Sequence, residues 1–227
     1  MTGGRSVRVA MAIMAKAPVA GEVKTRLCPP LSHLQAADLY RCFLLDKVAQ
    51  LRSIPGATPI IAYTPEEGRS VFEQLAPGFD LIAQRGADLG RRLLNTLSAL
   101  LADGYRGAVA IDSDTPTLPS AFLLGAIDLV VDPTIDLVLG PSDDGGYYLI
   151  GMSRPRPALF EGMPWSTAEV LPETIRRAEA AGLKVACLPP WFDVDTPDDL
   201  ERLRASLAAA AAGTAQHTRR FLAARGA

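Results

Sequence analysis

The apolar positions follow two alternating periods along the chain. Val7–Met14 is a nearly continuous apolar run, broken by Arg8, as expected of a strand buried on both faces. Leu34, Leu39, Phe43, Leu44, Val48 and Leu51 then fall on one side of a helix that Ser32 opens and that runs to about Arg52. Thr58–Tyr63 and Leu81–Ala83 read as strands, with a helix over Pro65–Leu75 between them. Asp88–Ala102 carries a stripe of Leu89, Leu93, Leu94, Leu97 and Leu101, and Gly107–Ile111 is a strand ending at Asp112. The second half repeats the theme: helix Pro119–Val131, strands Asp136–Leu139 and Tyr147–Met152, a helix to about Ala181, strand Leu183–Leu188 and helix Asp198–Ala212. Ser166 with Glu169 three residues on reads as a capping box for the helix that ends near Ala181.

Strand and helix in alternation, with short connections, predict an α/β fold with a mostly parallel central sheet flanked by helices. No linker divides the chain, so residues 1–212 read as one domain and 213–227, rich in Ala and Arg, as a frayed helix or short tail. Such sheets bind ligands outside the carboxyl ends of their strands. That edge is lined by Lys16–Arg26, Asp112–Pro119, Pro141–Gly146 and Phe192–Pro197. Many of the 19 glycines and 18 prolines fall in or beside these loops.

Charge and cysteine content narrow the partners. A formal net charge of −2 over 227 residues excludes a nucleic-acid-coating or polybasic membrane protein, so an anionic ligand must be held by a local site. Cys28, Cys42 and Cys187 are odd in number and irregularly spaced, which suits free thiols in a reducing cytoplasm rather than a disulfide or zinc framework. No apolar run reaches the about 20 residues of a membrane span. The expectation is a soluble cytoplasmic protein.

The four loops carry opposite charges. Lys16, Lys24 and Arg26 lie close together after the first strand, around Gly21, where backbone can approach a ligand, and suit phosphate binding. The loop is neither a Walker A sequence nor a dinucleotide fingerprint. Asp112 and Asp114, two residues apart where a strand breaks into a loop, can converge on Mg²⁺ or Mn²⁺. Asp193 and Asp195 repeat that spacing. Thr196, Pro197, Asp198 and Asp199 are accounted for as a helix start, which leaves Asp193 and Asp195 as further metal candidates. Asp143, Asp144, Gly145 and Gly146 read either as a turn alone or as a surface for sugar and acceptor, with Asp143 or Asp144 as general base. Gln84, Asp88 and Gly90 read either as a nucleobase-contacting loop or as a loop with a helix cap. Trp165 and Ser166 read as an acceptor platform or as packing.

These motifs resemble the DUF2064 family of glycosyltransferases, which belongs with the nucleotide-diphospho-sugar transferases of GT-A fold. The matching segments are MAKAPVAGEVKTRL, QRGADLGRRL, IDSDTPTLP, GPSDDGGYYLIG, PWSTAEVL and FDVDTPDDL, in order from about residue 7 to 205. The resemblance implies a single-domain, Rossmann-like GT-A fold, with Lys16, Lys24 and Arg26 on phosphates. It further implies Asp112 and Asp114 as the divalent-metal motif and Asp193 or Asp195 as the second metal carboxylate. The implied activity is metal-dependent glycosyl transfer from a nucleotide-diphospho-sugar to a small-molecule acceptor, with a homodimer allowed. The alternatives are a nucleotidyltransferase that joins an NTP to a phosphorylated metabolite, and a non-catalytic nucleotide-binding module. The related nucleotidyltransferases carry a glycine pair where this chain has Lys16-Ala17-Pro18, which favours the sugar-nucleotide donor. An aspartyl phosphatase is disfavoured, because Pro116 stands where its Asp-x-Asp-x-Thr motif continues and the motif follows a mid-chain strand.

Overall fold

Burial on both faces explains the first strand. In the computed structural model, which describes residues 9–225, β1 (Val9–Lys16) pairs in parallel with β2 (Ala57–Thr64) on one side and β4 (Gly107–Ile111) on the other. Val9, Met11 and Ile13 enter one core and Ala10 and Ala12 the other, so both alternating sets are apolar. Val7 and Arg8, the start of the apolar run, lie outside the described residues.

β3 (Asp80–Ala83) extends the sheet beyond β2, while β6 (Tyr147–Met152), β5 (Leu137–Pro141) and β7 (Val185–Cys187) extend it beyond β4. The seven strands therefore run in the order β3-β2-β1-β4-β6-β5-β7. Only β6 runs against the rest, antiparallel to both β4 and β5. One face carries α1 (His33–Arg52), α2 (Arg69–Leu75), α4 (Ser120–Val131), α6 (Pro197–Ala209) and α7 (Gln216–Ala223). The other carries α3 (Leu89–Ala102) and α5 (Val170–Ala180), packed over the small Ala10, Ala12, Ala108 and Ala110. This is the single α/β domain that the pattern predicts. Among the described residues no helix is long and apolar enough to cross a membrane.

Local chemistry sets most helix starts. The Ser32 side chain accepts from the Gln35 N–H and the Gln35 side chain accepts from the Ser32 N–H, a reciprocal capping box. Asp88 caps α3 and Thr196 caps α6, each through its side chain. α5 departs from expectation. It begins at Val170 after Glu169, and Ser166 does not cap it but lies at a left-handed φ of 64°. The reason is tertiary: the Leu171 N–H, an orphan donor of the first turn, donates to Gly145 O at 2.9 Å. The C-terminal tail carries a helix, α7, and that helix is docked: Asp46 of α1 accepts from the backbone N–H of His217 and Thr218 and from the Thr218 hydroxyl.

Candidate functional site

Strand order reverses at β1, with β2 and β3 to one side and β4 to the other, which opens a crevice between the loops that follow β1 and β4. The first loop turns at Gly21, whose φ of +82° suits glycine, and ends in a single 3-10 turn at Thr25–Leu27. Lys24 precedes that turn at a left-handed φ of 50°, uncommon for a residue with a side chain. The second loop continues the sheet for one bond, from the Asp112 N–H to Tyr148 O, and then breaks away. Tyr40 of α1 ties the two loops together: its hydroxyl accepts from the Lys16 N–H at 3.1 Å and meets Ser113 Oγ at 2.9 Å.

The remaining acids arrive from the far end of the sheet. After β7 the chain turns back along the carboxyl edge. The Trp191 N–H donates to Pro141 O, the Asp143 N–H donates to Trp191 O, and the Val194 N–H donates to Asp114 O. This crossing brings Asp193 to Ser142, whose hydroxyl donates to Asp193 Oδ1 at 2.6 Å. It brings Asp195 to Lys24, where Nζ lies 2.6 Å from Asp195 Oδ1 and 2.7 Å from Asp114 Oδ1. Arg26 adds an exposed charge 3.8 Å from the other Asp195 oxygen.

Two buried lysines serve this cluster in different ways. Burial by itself would lower the Lys24 pKa, but contact with Asp114 and Asp195 outweighs it and holds the ammonium charged, above the ordinary lysine value. Lys47 of α1 has a fully buried side chain, 3.8 Å from Asp112 Oδ1, and its nitrogen has no hydrogen-bond partner. Burial lowers its pKa, and Asp112, Asp114 and Asp193 offset that only in part. Burial pushes Asp112 up to about 6, with Lys47 opposing and Asp114 adding. Burial and then Asp112 push Asp193 up to about 8.

The donor set fits a hard divalent cation. Asp112 Oδ2 is buried with no hydrogen-bond partner, and Asp114 Oδ1 touches Lys24 without an aligned hydrogen bond. Among the described residues no three Asp, Glu, His or Cys side chains form a ready cage. Mg²⁺ does not need one, since it is commonly held by one or two carboxylates together with substrate phosphates and water. Of the two later candidates, Asp193 shares the Asp112 field, whereas Asp195 is engaged by Lys24 and Arg26.

A cleft of about 360 Å³ adjoins the cluster, lined among others by Lys16, Lys24, Arg26, Gln84, Arg92 and Asp114. That volume is within the range of small-molecule sites. A larger hollow of about 740 Å³ lies between α1, α6 and α7, but small and hydroxyl side chains dominate its wall and it lacks the paired lysine and aspartates. Gln84 spends its amide donors on Ala62 O at 2.7 Å and Ala15 O at 3.3 Å, which leaves its oxygen as the group to meet a ligand. Asp88 is the α3 cap, accepting from the Arg91 N–H at 2.8 Å. Gly90 is required by Trp165, since a Cβ there would come within 2.6 Å of the indole ring. Trp165 also packs against Tyr147 and Phe160, so its observed contacts are with the protein's own core.

The acidic hairpin between β5 and β6 is closed by two backbone bonds, from the Ser142 N–H to Gly146 O and from the Gly145 N–H to Ser142 O. Asp144 Oδ1 accepts from the Gly146 N–H. Gly145 has φ +88°, and a Cβ on it would lie 2.4 Å from Ala168 O, so the close approach implied by the glycine pair is made by the chain itself. Asp143 pairs with Arg202 of α6 at 2.7 Å, and that guanidinium lies over the Phe192 ring. Lys47, Tyr40, Arg92 and Arg202 were not singled out by motif. Lys47 and Tyr40 had a signal nonetheless: with Phe43, Leu44 and Leu51 they share the helical spacing of the buried face of α1.

Comparison with known proteins places the family and the fold. The sequence model of the family described as an uncharacterized protein conserved in bacteria (DUF2064) matches residues 46–167. The structure is similar to that of a Desulfovibrio desulfuricans G20 protein assigned to the nucleotide-diphospho-sugar transferases, with 32% identity, TM-score 0.88, and 96% of this chain and 94% of that one covered. It shares its fold with a cytidylyltransferase from Leptospira borgpetersenii at 15% identity and TM-score 0.59, covering 96% of this chain and 94% of that one. It also shares it with glucosyl-3-phosphoglycerate synthase from Mycobacterium tuberculosis, solved with Mn²⁺, UDP and phosphoglyceric acid, at 13% identity and TM-score 0.51, covering 96% and 78%.

Proposed function

The chain belongs to the DUF2064 family, and from that premise we propose that it is a metal-dependent transferase passing a sugar from a nucleotide-diphospho-sugar to a small-molecule acceptor. One observation carries the reading: a cationic loop meets the acidic cluster at the switch point of the sheet, and its cations border one cleft with Asp114 and Asp195. Breaking a glycosidic bond to a nucleoside diphosphate develops negative charge on the leaving phosphate, and pre-placed cations stabilise it.

Lys16, Lys24, Arg26 and Arg92 would bind the diphosphate. Asp112, Asp114 and Asp193 would hold Mg²⁺ or Mn²⁺, whose bound charge neutralises the leaving group. Gln84 would offer its oxygen to a donor on the nucleobase edge. Gly146 would let the hairpin lie close to the sugar, while Gly145 is packed against Ala168. Asp144 is the better candidate for general base on the acceptor hydroxyl, because Asp143 is engaged by Arg202. The fold shared with a cytidylyltransferase keeps nucleotidyl transfer as the second reading.

Product analysis separates the two. The protein is incubated with Mn²⁺ and a panel of nucleotide sugars, or with NTPs and phosphorylated acids. Release of a nucleoside diphosphate from a nucleotide sugar supports glycosyl transfer. Pyrophosphate release from an NTP, with no nucleoside diphosphate from any sugar, would replace it with nucleotidyl transfer.

A further inference from the structure

The Lys24 side chain is 5% exposed, and its ammonium lies within 2.7 Å of one carboxylate oxygen from each of two loops, Asp114 and Asp195. Its left-handed backbone, fixed just before the 3-10 turn, sets the side chain's point of departure. Asp114 Oδ1, the oxygen it touches, is also one that a divalent ion would use. Mg²⁺ binds oxygen at about 2.0–2.1 Å, so an ion on that oxygen would lie within a few ångströms of the ammonium, where two like charges repel strongly. Lys24 also lines the cleft with Lys16, Arg26 and Arg92, where diphosphate oxygens would offer it other acceptors.

Resting on the transferase reading, we infer that Lys24 is a resident cation on Asp114 Oδ1, one of the oxygens a divalent ion would use. It holds the Asp114 and Asp195 loops together in the absence of nucleotide. A divalent ion replaces it only together with a diphosphate that draws the ammonium into the cleft. The ligand that the site recognises is therefore the metal–diphosphate unit, and the ion alone binds weakly. Lys47, fully buried behind Asp112, does not line the cleft and stays in place.

Equilibrium dialysis against Mn²⁺ tests this without any catalytic readout. The proteins are the wild type, Lys24→Met, and Lys24→Met combined with Asp114→Asn. A second series adds methylenediphosphonate on both sides of the membrane. The wild type is expected to retain little Mn²⁺ alone and to gain it with the diphosphonate. Lys24→Met is expected to bind Mn²⁺ alone at least tenfold more tightly than the wild type, and Asp114→Asn to cancel that gain. Lys24→Gln, which removes the charge but keeps a hydrogen-bonding group, is read in the same way should the Met variant fail to fold. Equal Mn²⁺ affinity in the wild type and the lysine variants would overturn the inference while leaving the transferase reading intact. No retained Mn²⁺ in any protein, with or without diphosphonate, would overturn both the inference and the metal dependence it rests on.

Discussion

Lys24 and Lys47 approach one acidic cluster from opposite sides, the first from the loop after β1 and the second from the inward face of α1. Both are buried, yet their pKa values move in opposite directions. The difference is contact. Lys24 touches two carboxylates at 2.6 and 2.7 Å, whereas Lys47 stands 3.8 Å from its nearest partner and makes no hydrogen bond. A buried charge recovers its desolvation cost only through close, aligned partners. The two lysines therefore differ in kind: one is ion-paired at the wall of the cleft, the other is a buried group without a close partner.

That contrast can be broken by experiment. Lys24→Met is expected to have the largest effect, a loss of about 3 kcal/mol in metal-free buffer, because it leaves Asp114 and Asp195 without their shared counter-charge. Urea denaturation with a two-state fit measures it. Asp112 and Asp193 come next. Their pKa values in the folded protein, about 6 and about 8, exceed the ordinary carboxylate value, so their stabilising contribution is complete only below about pH 4 and is lost as pH rises through 6 and 8. With EDTA present, stability should fall as pH rises from 5 to 9, and Asp193→Asn should remove most of that fall. A flat profile in the wild type would contradict the buried cluster. Lys47→Met is expected to cost less than Lys24→Met, about 1 kcal/mol, because the loss of the cation nearest Asp112 is offset by removal of a buried ammonium that makes no hydrogen bond. A loss as large as that of Lys24→Met would erase the distinction between the two.

The smallest effects separate two capping sequences. Thr196→Ala should cost about 1 kcal/mol, because the Thr196 side chain accepts from the Asp199 N–H at the start of α6. Ser166→Ala should stay within about 0.5 kcal/mol, since Ser166 caps no helix. Thermal melts of both variants, measured side by side, decide the point.

These same residues show how far the sequence could be read. Thr196, Ser32 and Asp88 were legible as caps because a cap joins residues two or three apart in the chain. Ser166 carried the same local signature and was misread, because Gly145, twenty-six residues before Leu171, supplies the acceptor that the first turn of α5 uses. The acids of the cluster were legible as strand-end pairs. Their sorting was not, because it depends on the segment after β7 turning back across the edge to set Asp193 against Ser142 and Asp195 against Lys24. Gly90 and Trp165 each read either way in the sequence, as ligand contact or as loop and packing, and in the fold each is in contact with the other. Lys47 lay within the apolar stripe of α1, where one polar residue is easily assigned to the solvent side. Its spacing from Tyr40, Phe43 and Leu51 placed it on the buried face all along.

In the proposed function the cationic loop and the acidic cluster form one nucleotide-sugar site completed by a divalent ion. Calorimetric titration of the nucleotide sugar that most stabilises the protein, with and without Mn²⁺, tests it directly on the wild type and on Asp112→Ala. Tight binding by the wild type only when Mn²⁺ is present, and its loss in the variant, is the expected result. Unchanged, Mn²⁺-independent binding by folded Asp112→Ala would contradict it.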